Sequence, residues 1–309
     1  NLVGLKPFEI CRRGVGRTFQ LMQSFPHMTV LENVMTSALF GRATPITTTE
    51  ARAVAQEFCE MTGIGEKRHA YPKSLTVADQ KRIETVLMRN ARGHFSVCVS
   101  SQVGCAMACT FCATGTMGLI RNLSADEIVD QYRFWVDFLK GRPELPQYIS
   151  NIVFMGMGEP LANYENVKAA LQLILAHTDI GPTRITVSTV GLVPMLRHLL
   201  DDPKWPTVRI AVSLHSADEA TRKRMMPTSF DGFLEELAAW AEEYFKRHDS
   251  RRRHLTFEYV MLAGVNDTAM HAEALIRFAR RIGKARINLI PYNFTGDVYR
   301  GSLPGDFAR

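Results

Sequence analysis

The chain has 309 residues, 46% of them apolar, and 37 Lys and Arg against 31 Asp and Glu give it a net charge of +6. That length allows one large domain or two ordinary ones, the apolar share is ample for a packed core, and the basic balance suits a polyanionic partner without naming one. No apolar run approaches the ~18 residues of a membrane helix, and six cysteines without a secretory signal favour a reducing compartment, the cytoplasm, over a disulfide scaffold. The first residue is Asn rather than Met, so the natural start is expected upstream. From residue 96 onward, strand-like apolar runs alternate with amphipathic helical stretches. The runs span 96–102, 151–158, 184–190, 208–215, 254–262 and 286–292. After the first run, Ser124 and Glu127 form a capping-box pattern. The helix it opens carries Ile128, Tyr132, Trp135, Val136 and Leu139 on one face. Val167, Leu171, Ile174 and Leu175 make a second such stripe. This alternation implies parallel βαβ units. About six units give an α/β fold of the partial (β/α)6 TIM-type barrel kind, whose active residues gather at the C-terminal ends of strands.

Three cysteines fall in the loop after the first strand: Cys105, Cys109 and Cys112, spaced C-x3-C-x2-C. Thiolates are soft ligands for zinc, copper or iron–sulfur centres. A structural zinc usually takes four protein ligands, and no fourth Cys or His stands nearby in sequence. A cubane held by three cysteines instead leaves one iron open to a cofactor or substrate. Buried free thiols or a disulfide are the plainer alternative, which so tight a triplet disfavours. Gly156-Met-Gly158-Glu159-Pro160 follows the next strand; its glycines let backbone approach a ligand closely, and Glu159 can accept from an ammonium group. A plain tight turn is the other reading. Basic runs at 222–224 and 251–253 can contact phosphates or simply form solvated faces.

With Phe111 before its last cysteine, the loop resembles the signature of radical S-adenosylmethionine (SAM) enzymes. Further motifs narrow the likeness. Cys98-Val-Ser-Ser-Gln-Val-Gly-Cys105, Phe154 to Pro160, Ile185 to Thr189, Val212-Ser-Leu-His215, Glu258 to Leu262 and Asn288 to Asn293 occur in the family's order. They resemble the radical-SAM methyltransferases that modify carbon 2 of adenine in 23S ribosomal RNA, and the likeness runs from about Ile83 to the last residue. It implies a [4Fe–4S] cluster on Cys105, Cys109 and Cys112. It implies SAM contacts from Gly158, Glu159, Ser188, Ser213, Leu214, His215 and Asn293. Glu84 would be the proton acceptor, and Cys98 the thiol that resolves a covalent RNA–enzyme adduct. Taken alone, His215 equally reads as a core histidine, Cys98 as a small buried hydrophobe, Asn293 as a turn former and Glu84 as an exposed glutamate. The implied partners are 23S rRNA, with tRNA left open as a second substrate, and an electron donor such as flavodoxin. A monomer without membrane insertion is expected. No cysteine follows Cys112, whereas the family methylates a C-terminal cysteine first. The expectation is therefore a C-terminally truncated core that cleaves SAM without completing RNA methylation.

Residues 1–82 resemble something else. Gly16-Arg-Thr-Phe-Gln20 and the run from Phe25 to Val34 are similar to the ATP-binding subunit of branched-chain amino-acid ABC importers, with Gln20 in the Q-loop place. Ser74 to Arg82 looks like a divergent signature motif. The phosphate-cradling G-x4-G-K-[ST] loop is absent, as is the strand ending in a magnesium-binding Asp. The expected organisation is thus a mostly helical ABC-ATPase-like fragment without ATP hydrolysis at 1–82, fused near residue 82 to the radical-SAM core at 83–309. The rival readings are a radical-SAM enzyme with another substrate, an ATP-binding transport component and a zinc protein.

Overall fold

The computed structural model describes residues 25, 27–40, 45–61, 64–71, 83–90, 93–248, 254–293, 295, 298–303 and 305. The chain divides into two compact units, Asn1–Arg82 and Ile83–Arg309. In the front unit, α1 (Val30–Phe40) and α2 (Thr48–Met61) each open on a threonine followed three residues later by glutamate. Thr29 and Glu32 exchange side-chain and backbone hydrogen bonds, and Thr47 and Glu50 repeat the device. Val30, Leu31, Met35, Ala55 and Cys59 bury between the helices. The segment from Gly16 to Gln20 and the run from Ser74 to Arg82 lie outside the described residues.

Among the described residues the rear unit has nine strands: β1 (Val86–Arg89), β2 (Phe95–Cys98), β3 (Gln102–Gly104), β4 (Leu119–Asn122), β5 (Ile149–Phe154), β6 (Ile185–Thr189), β7 (Arg209–Ser213), β8 (Leu255–Met261) and β9 (Ala285–Pro291). Seven form one curled sheet in the order β1-β2-β5-β6-β7-β8-β9. From β2 to β9 every pairing is parallel, and β1 alone runs antiparallel on the edge. Six consecutive parallel strands joined by helices are the expected partial barrel. The helices are α3 (Ala113–Thr116), α4 (Ala125–Lys140), α5 (Tyr164–His177), α6 (Val193–Asp201), α7 (Glu219–Met225), α8 (Phe233–Arg247) and α9 (Ala269–Ile282). Ser124 caps α4 with both reciprocal bonds to Glu127 in place.

Strand period decides which way each side chain faces. Phe95, Val97, Ile152, Phe154, Ile185, Val187, Ile210, Val212, Phe257 and Tyr259 share the face that packs on the helices, where Ile128, Leu171, Leu196, Leu237 and Phe278 meet them. The opposite face carries Ser96, Cys98, Asn151, Thr186, Ser188, Ser213, Thr256 and Glu258. A complete barrel of this type fills its interior with branched apolar side chains. Here the inner face is largely polar, with Val153 and Ala211 among its hydroxyl groups and Glu258, and several of its residues are only half-buried. Such a lumen suits a ligand better than a core.

One expected strand divides. The run 96–102 leaves the sheet after Cys98, because Ser100 is drawn off by other partners. Its N–H donates to the Gln131 side chain, and its hydroxyl donates to Glu84 O at 2.6 Å and accepts from Met157 N at 2.8 Å. The chain then re-enters extended geometry as β3, which pairs antiparallel with β4 in a separate hairpin. The cysteine loop is the connection between those two strands. Among the described residues, no helix is long and apolar enough to cross a membrane.

Candidate functional site

The hairpin carries the three cysteines to the C-terminal ends of the parallel strands. Cys105 follows β3 and its N–H donates to Gly118 O across the hairpin at 3.0 Å. Cys112 N–H closes a turn onto Cys109 O, and Cys112 is the N-cap of α3. The loop is anchored from two sides. Thr110 donates from both its N–H and its hydroxyl to Met225 O at the end of α7, and its hydroxyl also bonds Tyr299. Thr295 bonds Phe111 O. Cys109 packs in a cluster with Met225, Met226, Val260, Leu262 and Tyr292, so the segments after β7, β8 and β9 all converge on it.

Cys105 and Cys109 are buried, and Cys112 is half-buried. Burial pushes Cys105 up to about 11 and Cys109 up to about 12, with the neighbouring thiols and Glu159 adding to each. Buried thiols such as Cys105 and Cys109 become thiolates when a bound cation compensates them, which is the chemistry of a metal centre. Among the described residues, no three His, Cys, Asp or Glu groups close tightly enough around a point to hold a single metal ion. The donor set itself, three soft thiols on one short loop beside a buried acid, suits an iron–sulfur cluster with one open iron.

Glu159 is the adjoining acid. It is 2% exposed and its carboxylate accepts from Leu161 N at 3.0 Å and Val190 N at 2.7 Å. Burial still lifts it to about 7. A carboxylate offers about four acceptor positions, and the Thr189 side chain takes a third position beside Leu161 N and Val190 N. Gly156 and Gly158 are required by packing as well. A Cβ on Gly156 would come within 2.8 Å of Val99 O, and one on Gly158, at φ +99°, within 2.5 Å of Gln102. The glycines seat this turn on the β2–β3 link, and Gln102 in turn accepts from Glu159 N at 2.8 Å.

Ser188 and Ser213 stand 3.5 Å apart on neighbouring strands of the inner face. Leu214 buries its side chain in the helix-facing core, and its carbonyl is taken by Arg222. Its N–H is engaged as well, donating to Val212 O at 2.8 Å and Glu258 O at 3.1 Å. Asn293 follows β9 and the buried Tyr292. His215 holds a positive φ of 53°, its Nδ1 accepts from Val260 N at 3.0 Å, and its ring stands edge-on to Phe111 at 4.8 Å. Burial, with Arg222 nearby, lowers it to about 3, so it is a neutral wall.

Linkage fixes the consequence. Below pH 6.5 the unfolded chain takes a proton that folded His215 refuses until about pH 3. Stability is lost as pH falls through that window, by something on the order of 4 kcal/mol. His215→Asn keeps an acceptor for Val260 and tolerates positive φ. Urea unfolding of the cluster-free protein should show wild type losing ground to this variant from pH 6.5 towards pH 4; a constant gap would contradict it.

Glu84 and Cys98 come together. Val86 pairs with Cys98 across the antiparallel edge, so Glu84 lies just beyond β1 at the C-terminal end of β2. Burial raises Glu84, and burial plus the Glu84 charge push Cys98 up to about 11. The basic runs fare differently. Arg222 is 1% exposed and offers nothing to an outside phosphate. Lys223 pairs with Asp231, Arg224 donates to Thr221, and 251–253 lie outside the described residues. The sequence did carry a signal: Thr221, Arg222, Met225 and Met226 recur at helical spacing and share burial. Glu258, also missed, faces the lumen from β8 and accepts from Asn288 Nδ2 at 2.7 Å. Alternation with Phe257 and Tyr259 marks it as inward. A separate concavity of about 700 Å³ between α8 and α9, lined by Glu235, Phe245, Lys246, Arg281 and Lys284, lies on the helical side, away from this chemistry.

Comparison with known proteins agrees with this geometry. The Radical SAM superfamily matches residues 99–279. The dual-specificity RNA methyltransferase RlmN of Gluconobacter oxydans is 38% identical over 303 residues, 94% of this chain and 69% of its own length. That of Anaeromyxobacter dehalogenans is 44% identical over 238 residues, 75% of this chain and 61% of its own length. The probable RlmN of Aquifex aeolicus is 43% identical over 215 residues, 68% of this chain and 59% of its own length. The chain thus spans less than two thirds of the latter two, and the Gluconobacter match is long enough to reach into the front unit. The crystal structure of a radical SAM methyltransferase from Sphaerobacter thermophilus superposes with a TM-score of 0.66 at 39% identity, covering 73% of this chain and 64% of that one. The chain belongs to the radical SAM superfamily and, within it, to the RlmN dual-specificity RNA methyltransferases. The cofactors of that family are a [4Fe–4S] cluster and SAM.

Proposed function

We propose that residues 83–309 form the catalytic core of a cytoplasmic methyltransferase acting on carbon 2 of an adenine in 23S rRNA, with tRNA as a second substrate. The observation that carries this reading is the meeting of Cys105, Cys109 and Cys112 with Glu159 over a polar lumen. When bound, the cluster and SAM supply a 5′-deoxyadenosyl radical through one-electron cleavage of a SAM carbon–sulfur bond, the electron coming from a donor such as flavodoxin. Cys105, Cys109 and Cys112 would hold the cluster, Gly158 and Glu159 would receive the SAM amine, and Ser188, Ser213, Leu214, His215 and Asn293 would line the rest of the cofactor. Neutral His215 packs on Phe111 and keeps the loop closed to water. Glu84, held at the same mouth, would act as the proton acceptor, and the Cys98 thiol beside it would resolve the RNA–enzyme adduct by forming a disulfide with the adduct's cysteine sulfur as the carbon–sulfur bond to the base breaks. The adenine reaches this mouth only when unstacked and flipped. A net charge of +6 favours the polyanion, and binding should weaken with salt.

The test is 5′-deoxyadenosine formation by the anaerobically reconstituted, reduced chain, with and without a 23S rRNA fragment. Cleavage that the RNA stimulates supports the reading; cleavage indifferent to RNA points to another substrate. For the front unit we propose an ABC-ATPase-like fragment that does not hydrolyse ATP, checked by nucleotide titration.

A further inference from the structure

Arg222 is buried to 1% exposure on α7, yet no carboxylate stands among its hydrogen-bond partners. Its Nε donates to Leu214 O at 3.1 Å, its Nη1 to Ser229 Oγ at 2.6 Å, and its Nη2 to Val190 O at 2.6 Å with a long second contact to Ser213 O. The plane lies 3.6 Å from the Phe233 ring centroid. Every one of these partners is neutral. A buried cation without an anion is costly, and its removal from water is repaid only by a good counter-charge. The geometry points towards one. Cys109 packs on Met225 and Met226, three and four residues beyond Arg222, and its neighbour Thr110 donates twice to Met225 O, so α7 carries the buried cation to the cysteine loop.

We propose that Arg222 is a positioning residue whose fixed charge is the counter-ion of the thiolate-bound cluster, favouring its one-electron reduced form, while its donors tie the ends of β6 and β7 to α7. The proposal rests on the cluster assignment above. Reduction adds one negative charge to the site, supplied by the external donor, and a nearby guanidinium stabilises that state over the oxidised one. The neutral hydrogen-bond partners explain why Arg is used: they keep the charge buried and oriented without cancelling it.

The experiment uses the reconstituted 309-residue chain and two variants, Arg222→Gln and Arg222→Lys. Iron and sulfide content of wild type first tests the cluster assignment by itself. EPR-monitored redox titration with dye mediators then reads the midpoint potential. Arg222→Gln should show at least a tenfold lower ratio of reduced to oxidised cluster at a fixed potential, a shift of 59 mV or more to the negative for one electron. Arg222→Lys, which keeps the charge, should stay near wild type. Equal potentials in all three proteins overturn the proposal, as does loss of the cluster from both variants with unchanged circular dichroism, since that marks a loop staple and not a charge. Should Arg222→Gln fail to fold, Arg222→Met is read in its place: a negative shift of 59 mV or more supports the proposal, and a wild-type potential overturns it.

Discussion

Cys109→Ala is expected to lose its iron and acid-labile sulfide after reconstitution and to form no 5′-deoxyadenosine above background, while remaining folded. The fold should survive because the thiol is a small member of an otherwise apolar cluster with Met225, Val260, Leu262 and Tyr292, and removing one sulfur costs only about 1 kcal/mol in cavity. The function should not survive, because two thiolates cannot fix a cubane with a single open iron. The same loss is expected for Cys105→Ala and Cys112→Ala, whereas Cys59→Ala, on the front unit, should load normally. Metal analysis with circular dichroism decides. Full iron content in Cys109→Ala would remove the triplet from the account.

Gly104→Ala should damage the same site through the backbone. Gly104 has φ +76°, and a Cβ there would lie 1.9 Å from Gly118 O, the very carbonyl that accepts from Cys105 N. Backbone cannot yield as a side chain does, so the hairpin must open, at a cost on the order of 3 kcal/mol. For a unit of this size that lowers the melting temperature by roughly 6–12 °C. Gly118→Ala is the matched control: φ is +67° but no heavy atom lies within 4 Å of the added Cβ. It should cost about 1 kcal/mol, from the left-handed conformation alone. Equal melting temperatures for the two variants would show that close packing of the hairpin is not what presents Cys105.

Much of this site was legible because its chemistry and its strand ends coincide in sequence. The runs at 184–190, 208–215, 254–262 and 286–292 differ from β6, β7, β8 and β9 by one or two residues at each end. Ser124 and Glu127 announced α4. What periodicity could not give was tertiary competition. Ser100 leaves the ladder for Gln131, Glu84 and Met157, partners 16 to 57 residues away, so the break between β2 and β3 has no local sign. The β3–β4 hairpin has exposed apolar residues at Leu119 and Ile120, which read as neither buried strand nor turn. Gly158 was legible as a close-approach glycine, but the approaching group is Gln102 of the neighbouring strand. Arg222 looked like surface charge because composition outweighed helical phase.

The central claim is that Cys105, Cys109 and Cys112 hold a cluster whose open iron takes SAM. EPR of the anaerobically reduced, reconstituted chain tests it most directly, recorded before and after SAM is added. The account predicts a [4Fe–4S] signal whose g-values change when SAM binds, with the change lost in Glu159→Ala. A colourless, iron-free protein, or a cluster signal indifferent to SAM, would contradict it.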